Sequence, residues 1–237
     1  KESSDMGIKK AIILAAGFGK RLLPLTKEQP KPLLEVKGKK LLDYSISFLL
    51  ANGVSDIIIN SHYLHEQISN FVNERYPNIK ISYEKEILDT GGGILNVLPF
   101  FQGENFLVLN SDTIWTNDYK IDLKKLTDVF YEGKNKAALL LATKENSFDS
   151  NLSGDFGIDE QGFLNKKAKN YIYSGCQILN PDIFNKKNAL SSFSMNEIWE
   201  DLIKDNSLNG HVSSCTFLHA TNLEIYNQLN SSKTIDL

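Results

Sequence analysis

The chain has 237 residues, 41% hydrophobic and 23% charged, with a formal net charge of -3. That composition suits a globular α/β protein with a sizeable core. It lacks the clustered basic excess of a nucleic-acid-binding surface, and no apolar run approaches the ~20 residues that span a bilayer. No nucleic-acid or membrane partner is therefore expected. Residues 1–7, KESSDMG, carry no signal-peptide pattern and are set aside as a flexible or added leader. Cys176 and Cys215 are the two cysteines, neither beside a second metal-ligand residue. They read as reduced packing residues, which points to the cytoplasm.

Lys10–Ala16 is a continuous apolar run ending at Gly17, the pattern of a fully buried strand. Leu41–Ala51 has helical spacing and is stopped by Gly53. Ile57–Asn60 reads as a second buried strand, Leu64–Tyr76 as an amphipathic helix closed by Pro77, and Ile79–Glu84 as a strand. Ile94–Phe101 suggests a short helix, and Phe106–Leu109 a third core strand. Further on, Ala137–Thr143 and Tyr171–Leu179 are strand candidates, Gly154–Leu164 a hairpin-containing insertion, and Met195–Asp205 a helix. Strands alternating with helices imply a Rossmann-like, mostly parallel sheet flanked by helices on both faces, with an irregular C-terminal part. We expect one catalytic domain over residues 8–237, with a first half at 8–115 and a second at 137–237.

The first strand feeds Leu14-Ala15-Ala16-Gly17-Phe18-Gly19-Lys20-Arg21. Small residues let a ligand approach the backbone, whose amides are free to donate, while Lys20 and Arg21 supply charge suited to phosphate. The spacing fits neither the Walker loop nor the dinucleotide fingerprint, and Pro24 argues against a long helix here. Lys31 sits between Pro30 and Pro32, which restrict its backbone and aim its ammonium. Glu84 to Gly93 reads EKEILDTGGG; its three glycines suggest exposed backbone against which a base or ribose lies. Asn110, Ser111 and Asp112 follow an apolar strand, at the carboxyl edge where ligands collect, and Asp112 suits Mg²⁺.

LAAGFGKRLLPLT followed by PKPLL resembles the signature of the sugar-1-phosphate nucleotidyltransferases. The resemblance is strong over the first 115 residues and weaker after Ala137. It implies that Leu14, Ala15, Ala16, Gly17, Gly19, Lys20, Glu84, Thr90, Gly91 and Gly92 surround the nucleotide, and that Arg21, Lys31 and Asp112 are catalytic. It also implies that Asn110, Gly157, Lys166 or Lys167, Ser174 and Gly175 face the sugar phosphate. Asn165 departs from the family there by replacing an acid. A larger departure is FLHATN at 217–222, where His219 stands in the slot of the family's second metal-binding Asp. Three roles stay open for His219 beside a structural one: ligand to a softer metal such as Mn²⁺, a phosphate contact, or no part in a catalysis that relies on Asp112 alone. The resemblance implies joining of a nucleoside triphosphate, UTP or GTP, to a sugar 1-phosphate such as N-acetylmuramate or mannose 1-phosphate. Mg²⁺ or Mn²⁺ would be the cofactor, and the enzyme a monomer or small homo-oligomer. A nucleotide-binding protein without turnover and a cytidylyltransferase for a phosphorylated alcohol are the alternatives.

Overall fold

The computed structural model describes residues 7–237, so all of the leader but Gly7 lies outside the described residues. Strand β1 (Lys10–Leu14) leads through short 3-10 turns at Lys20–Leu22, Leu25–Lys27 and Lys31–Leu33 into a small hairpin, β2 (Glu35–Val36) and β3 (Lys39–Lys40). There follow α1 (Leu41–Ala51), β4 (Asp56–Ser61), α2 (His65–Arg75), β5 (Lys80–Tyr83), α3 (Asp89–Asn96), β6 (Phe106–Asn110) and α4 (Tyr119–Glu132). The chain then forms β7 (Ala137–Thr143), the hairpin β8 (Gly157–Ile158) and β9 (Leu164–Asn165), and β10 (Tyr171–Leu179). It ends with α5 (Met195–Lys204), β11 (Leu208–Val212) and α6 (Leu223–Ser231).

Seven strands form one sheet in the order β11-β7-β10-β6-β1-β4-β5. Pairings are parallel except those of β10, which runs antiparallel to both β6 and β7. The sheet thus joins the two halves read from the sequence, because β10 from the second lies against β6 of the first. Alternation divides the core: Ala11 and Ile13 pack with Phe48 of α1, Val72 of α2 and Phe130 of α4. Ile12 points to the other face, with Ile94 of α3 and Ile198 and Leu202 of α5. Both faces are covered, which is why the strands read as unbroken apolar runs. Each fully buried Ile or Leu contributes roughly 1.5–3 kcal/mol.

Several boundaries differ from the sequence reading. The first strand stops at Leu14, because Ala15 turns its amide to a side chain, Asn60, instead of extending the ladder. The short helix starts earlier and ends sooner than Ile94–Phe101: α3 begins at Asp89, takes in all three glycines and stops at Asn96, and a 3-10 turn carrying Pro99 covers Leu98–Phe101. The β2–β3 hairpin, helix α4, strand β11 and helix α6 lie outside the sequence reading. Helix α4 buries Leu123, Leu126 and Phe130, while β11 completes the sheet edge beside β7 and α6 is capped by the Asn222 side chain.

Candidate functional site

The carboxyl ends of β1, β4 and β6 open onto a cleft of about 420 Å³. Of the residues singled out in the sequence, Leu14, Ala15, Ala16, Gly17, Gly19, Lys20, Arg21, Lys31, Glu84, Thr90, Asn110 and Asp112 line it. The loop after β1 takes the predicted short course. Gly19 adopts φ 65, a left-handed conformation, and accepts a hydrogen bond from Thr26 Oγ1 (2.7 Å). A 3-10 turn then presents exposed Lys20 and Arg21, with Lys20 Nζ 5.3 Å from the centre of the Phe18 ring.

Asp112 is the electrostatic centre. Lys31 Nζ lies 3.3 Å and His219 Nε2 3.2 Å from its Oδ2. The backbone accounts for the histidine's arrival: residues around His219 run antiparallel to those around Thr113, with Ala220 N donating to Asp112 O (2.9 Å) and Ile114 N to Leu218 O (2.9 Å). Burial alone would raise the Asp112 pKa. The charges and hydrogen bonds of His219 and Lys31 outweigh that, holding the carboxyl well below the usual carboxylate range. Its second oxygen, Oδ1, is buried and has no hydrogen-bond partner.

An orphaned carboxylate oxygen fits a hard divalent cation, which prefers oxygen donors. No group of three or more His, Cys, Asp or Glu gathers among the described residues, so such an ion would complete its shell from substrate phosphates and water. His219 presents no spare nitrogen: Nε2 faces Asp112, and Nδ1 lies 2.8 Å from Thr221 Oγ1. In this arrangement it is the partner of the carboxylate.

The run at 91–93 does not form the exposed backbone read from the sequence. Gly91, Gly92 and Gly93 are buried in the first turns of α3, and neither Gly91 nor Gly92 lines the cleft. A Cβ at Gly91 would fall 2.3 Å from the Phe193 ring, one at Gly92 2.3 Å from Ser191 O, and one at Gly93 2.8 Å from both Asn60 Nδ2 and Glu84 Oε1. The amides of Gly91 and Gly92 both donate to Phe193 O, at 2.9 and 3.1 Å. These glycines let protein approach protein.

The sugar-side residues are dispersed. Ser174 is buried and donates from Oγ to Leu140 O (2.7 Å), directed into the sheet and away from the cleft. Gly175, at φ 97 in a β10 bulge, has its Cβ position 2.9 Å from Asn110 Cβ, so a side chain there would strike the end of β6. Gly157 is crowded by its own hairpin, with Ala168 O 2.4 Å from a Cβ placed there. Lys166 Nζ lies 4.5 Å from the centre of the Phe156 ring and 3.5 Å from Asn196 Oδ1; Lys167 is exposed. None of these five lines the cleft.

Sequence reading missed Asn60, Ile87 and Asp89 on the cleft wall. Asn60 was within reach of it, since it ends the second apolar strand as Asn110 ends the third. The cysteines are unsuited to chemistry: Cys176 is buried, which pushes its thiol up. Cys215 is pushed up to about 11, first by burial and then by its hydrogen bond to Asp122.

A mostly parallel sheet whose carboxyl edge gathers a glycine-rich loop, three basic side chains and an under-coordinated aspartate defines an α/β enzyme built for a polyphosphate ligand. The chain belongs to the nucleotidyl transferase family, whose model, described as "Nucleotidyl transferase", matches residues 10–151. It is 33% identical over 217 residues to the D-glycero-alpha-D-manno-heptose 1-phosphate guanylyltransferase of Campylobacter jejuni, covering 88% of this chain and 90% of that one. It is 29% identical over 221 residues to the N-acetylmuramate alpha-1-phosphate uridylyltransferase of Caulobacter vibrioides, covering 89% and 91%. Among solved structures, HddC from Yersinia pseudotuberculosis complexed with GMP-PN shares the fold, with a TM-score of 0.74, 24% identity and coverage of 94% and 98%. The protein is thus a nucleotidyltransferase. No helix among the described residues is long and apolar enough to cross a membrane.

Proposed function

We propose that the enzyme transfers a nucleotidyl group from GTP or UTP to a sugar 1-phosphate, releasing pyrophosphate. The supporting observation is the Asp112 centre: a carboxylate held ionised by Lys31 and His219, with a buried unpartnered oxygen at the edge of the cleft that the glycine-rich loop lines. The heptose 1-phosphate and N-acetylmuramate 1-phosphate relatives, which match over most of the chain, support a sugar phosphate acceptor and either guanylyl or uridylyl transfer.

In this reading an oxygen of the sugar phosphate attacks the α-phosphorus; a new P–O bond forms as the bond to the β-phosphate breaks, and pyrophosphate leaves with the electron pair. The nucleophile is already anionic at neutral pH, so the site needs no general base, and its task is alignment and charge neutralisation. Arg21 and Lys20, exposed on the 3-10 turn, take the β- and γ-phosphates. Lys31, which lines the cleft beside Asp112, offsets charge on the phosphate being transferred. Asp112, through its unpartnered Oδ1, would hold the divalent cation, Mg²⁺ or Mn²⁺, which would supply Lewis-acid neutralisation of phosphate charge. His219 steadies Asp112 and lowers the charge that a second carboxylate would have added. The sugar lies toward Asn110 and the β10 bulge.

Pyrophosphate release tests this, with GTP, UTP, CTP, ATP and dTTP each against heptose, mannose, glucose and N-acetylmuramate 1-phosphates and phosphocholine. One preferred sugar phosphate with GTP or UTP is the expected result. Turnover with phosphocholine alone, or nucleotide binding without any turnover, would refute the reading.

A further inference from the structure

Asn60 and Glu84 are both almost wholly buried, at 2% and 3% exposure, yet both border the cleft. The Ala15 amide donates to Asn60 Oδ1 (2.7 Å), Asn60 Nδ2 donates to Glu84 Oε1 (2.9 Å), and the Leu88 amide donates to Glu84 Oε2 (3.2 Å). These bonds link three separate segments of the cleft wall: the glycine-rich loop, the end of β4 and the β5–α3 connection. Gly93 is bare where a Cβ would meet Asn60 Nδ2 and Glu84 Oε1 at 2.8 Å, so α3 is fitted around the pair.

We propose that Asn60 is a positioning residue for the nucleotide, and that its amide, by accepting from Ala15 and donating to Glu84, holds the glycine-rich loop in its ligand-ready course. This rests on the nucleotide reading of that loop. The direction of the bonds makes the assignment specific. An ionised Glu84 only accepts, and the Ala15 amide only donates, so whatever stands between them must accept at one end and donate at the other. An Asn side chain does both; an ionised Asp does not. Burial pushes the Glu84 carboxyl up, opposed by the bonds from Asn60 and Leu88 and by the charge of His62. Other charged groups flanking Glu84 are Lys85 and Glu86 in the same connection and Asp89 at the head of α3. His62 is the one facing it from the β4–α2 connection, with Nδ1 2.7 Å from Glu84 O.

The test is Asn60→Asp, read as the Kd for GTP and UTP by titration calorimetry against wild type, with KM and kcat for the preferred pair. An introduced carboxylate cannot, when ionised, donate to Glu84 as the Asn60 amide does, and nucleotide Kd and KM rise by about tenfold or more while kcat changes little. Asn60→Asp combined with Glu84→Gln reverses the bond, since the glutamine amide now donates to the new carboxylate. It is expected to recover most of the nucleotide affinity that Asn60→Asp alone loses. This pair also serves if the single variant folds poorly. A Kd unchanged by Asn60→Asp, or raised and not rescued by Glu84→Gln, would overturn the inference alone. Failure of the wild type to bind any nucleotide would overturn the functional reading and this inference with it.

Discussion

Replacing Gly91 by alanine separates a packing role for the glycine run from a ligand-binding one. The new methyl would fall 2.3 Å from Phe193 Cε2, 2.5 Å from Cδ2 and 3.0 Å from Phe193 O. Carbon atoms in contact sit about 3.5–4.0 Å apart, so the ring must retreat by more than about 1 Å. It has little freedom to do so. Phe193 O accepts from the Gly91 and Gly92 amides, Met195 N donates to Thr90 Oγ1 (2.9 Å), and Lys187 Nζ lies 4.7 Å from the ring centre. Overpacking of this kind costs about 3 kcal/mol at the upper end of its usual range, and alanine's better helix propensity returns about 1. A net loss of about 2 kcal/mol lowers Tm by roughly 4–8 °C for a chain of this size. Gly17→Ala is the control, because its Cβ position has nothing within 4 Å. Its Tm should match wild type, with nucleotide affinity reduced. Thermal melts and GTP or UTP titrations on both variants make the comparison. A Gly91→Ala protein that melts with wild type but loses nucleotide affinity would refute the packing account.

Three further outcomes are expected. Asp112→Asn should lower kcat for pyrophosphate release by roughly 10²–10³ while nucleotide binding stays measurable, and activity within threefold of wild type would remove Asp112 from the mechanism. His219→Asp replaces the carboxylate's partner with a second oxygen ligand, so the Mg²⁺ titration of activity should shift to lower concentration; an unmoved titration would count against the pairing. Tyr76 is pushed up to about 12, first by burial and then by its hydrogen bond to Asp43 and that residue's charge. A raised tyrosine pKa contributes stability that is fully present below about 10 and is lost as pH rises through about 12. Tyr76→Phe should therefore destabilise the protein at pH 8 and bring its Tm closer to that of wild type as pH rises above 10, and a constant gap would refute the linkage.

The sheet was legible because strands covered on both faces must be apolar throughout, and Ile12, Ile13, Val108 and Leu109 say so locally. Helix α4 was hidden because its inward face includes a carboxylate. Asp122 is 4% exposed and satisfied by His211 Nε2 (3.1 Å), Ser213 Oγ and Cys215 Sγ (3.2 Å), all about 90 residues away. Nothing near Asp122 in the chain announces those partners. The glycine run was misread for a related cause. Sequence records that a side chain is absent, and not whether ligand or protein fills the space. At Gly91 and Gly92 the filler is Phe193 and Ser191, about 100 residues on. The cleft itself was largely readable, because its lining is concentrated in Leu14–Arg21, where local backbone chemistry decides the outcome.

Histidine at position 219 changes how charge is distributed around Asp112 more than it changes the count of ligands. With a second carboxylate there, the site would hold two negative charges around a metal, and Lys31 would face both. With His219, Asp112 Oδ2 is already hydrogen-bonded from two sides, and Oδ1 is left as the oxygen without a partner. A cation approaching the free protein meets one carboxylate whose charge Lys31 has largely offset. In the proposed reaction, the negative oxygens of a triphosphate would compete with Asp112 for Lys31. Nucleotide and metal binding would then be coupled through one lysine, while His219, with Nδ1 2.8 Å from Thr221 Oγ1, still contacts Asp112 through Nε2.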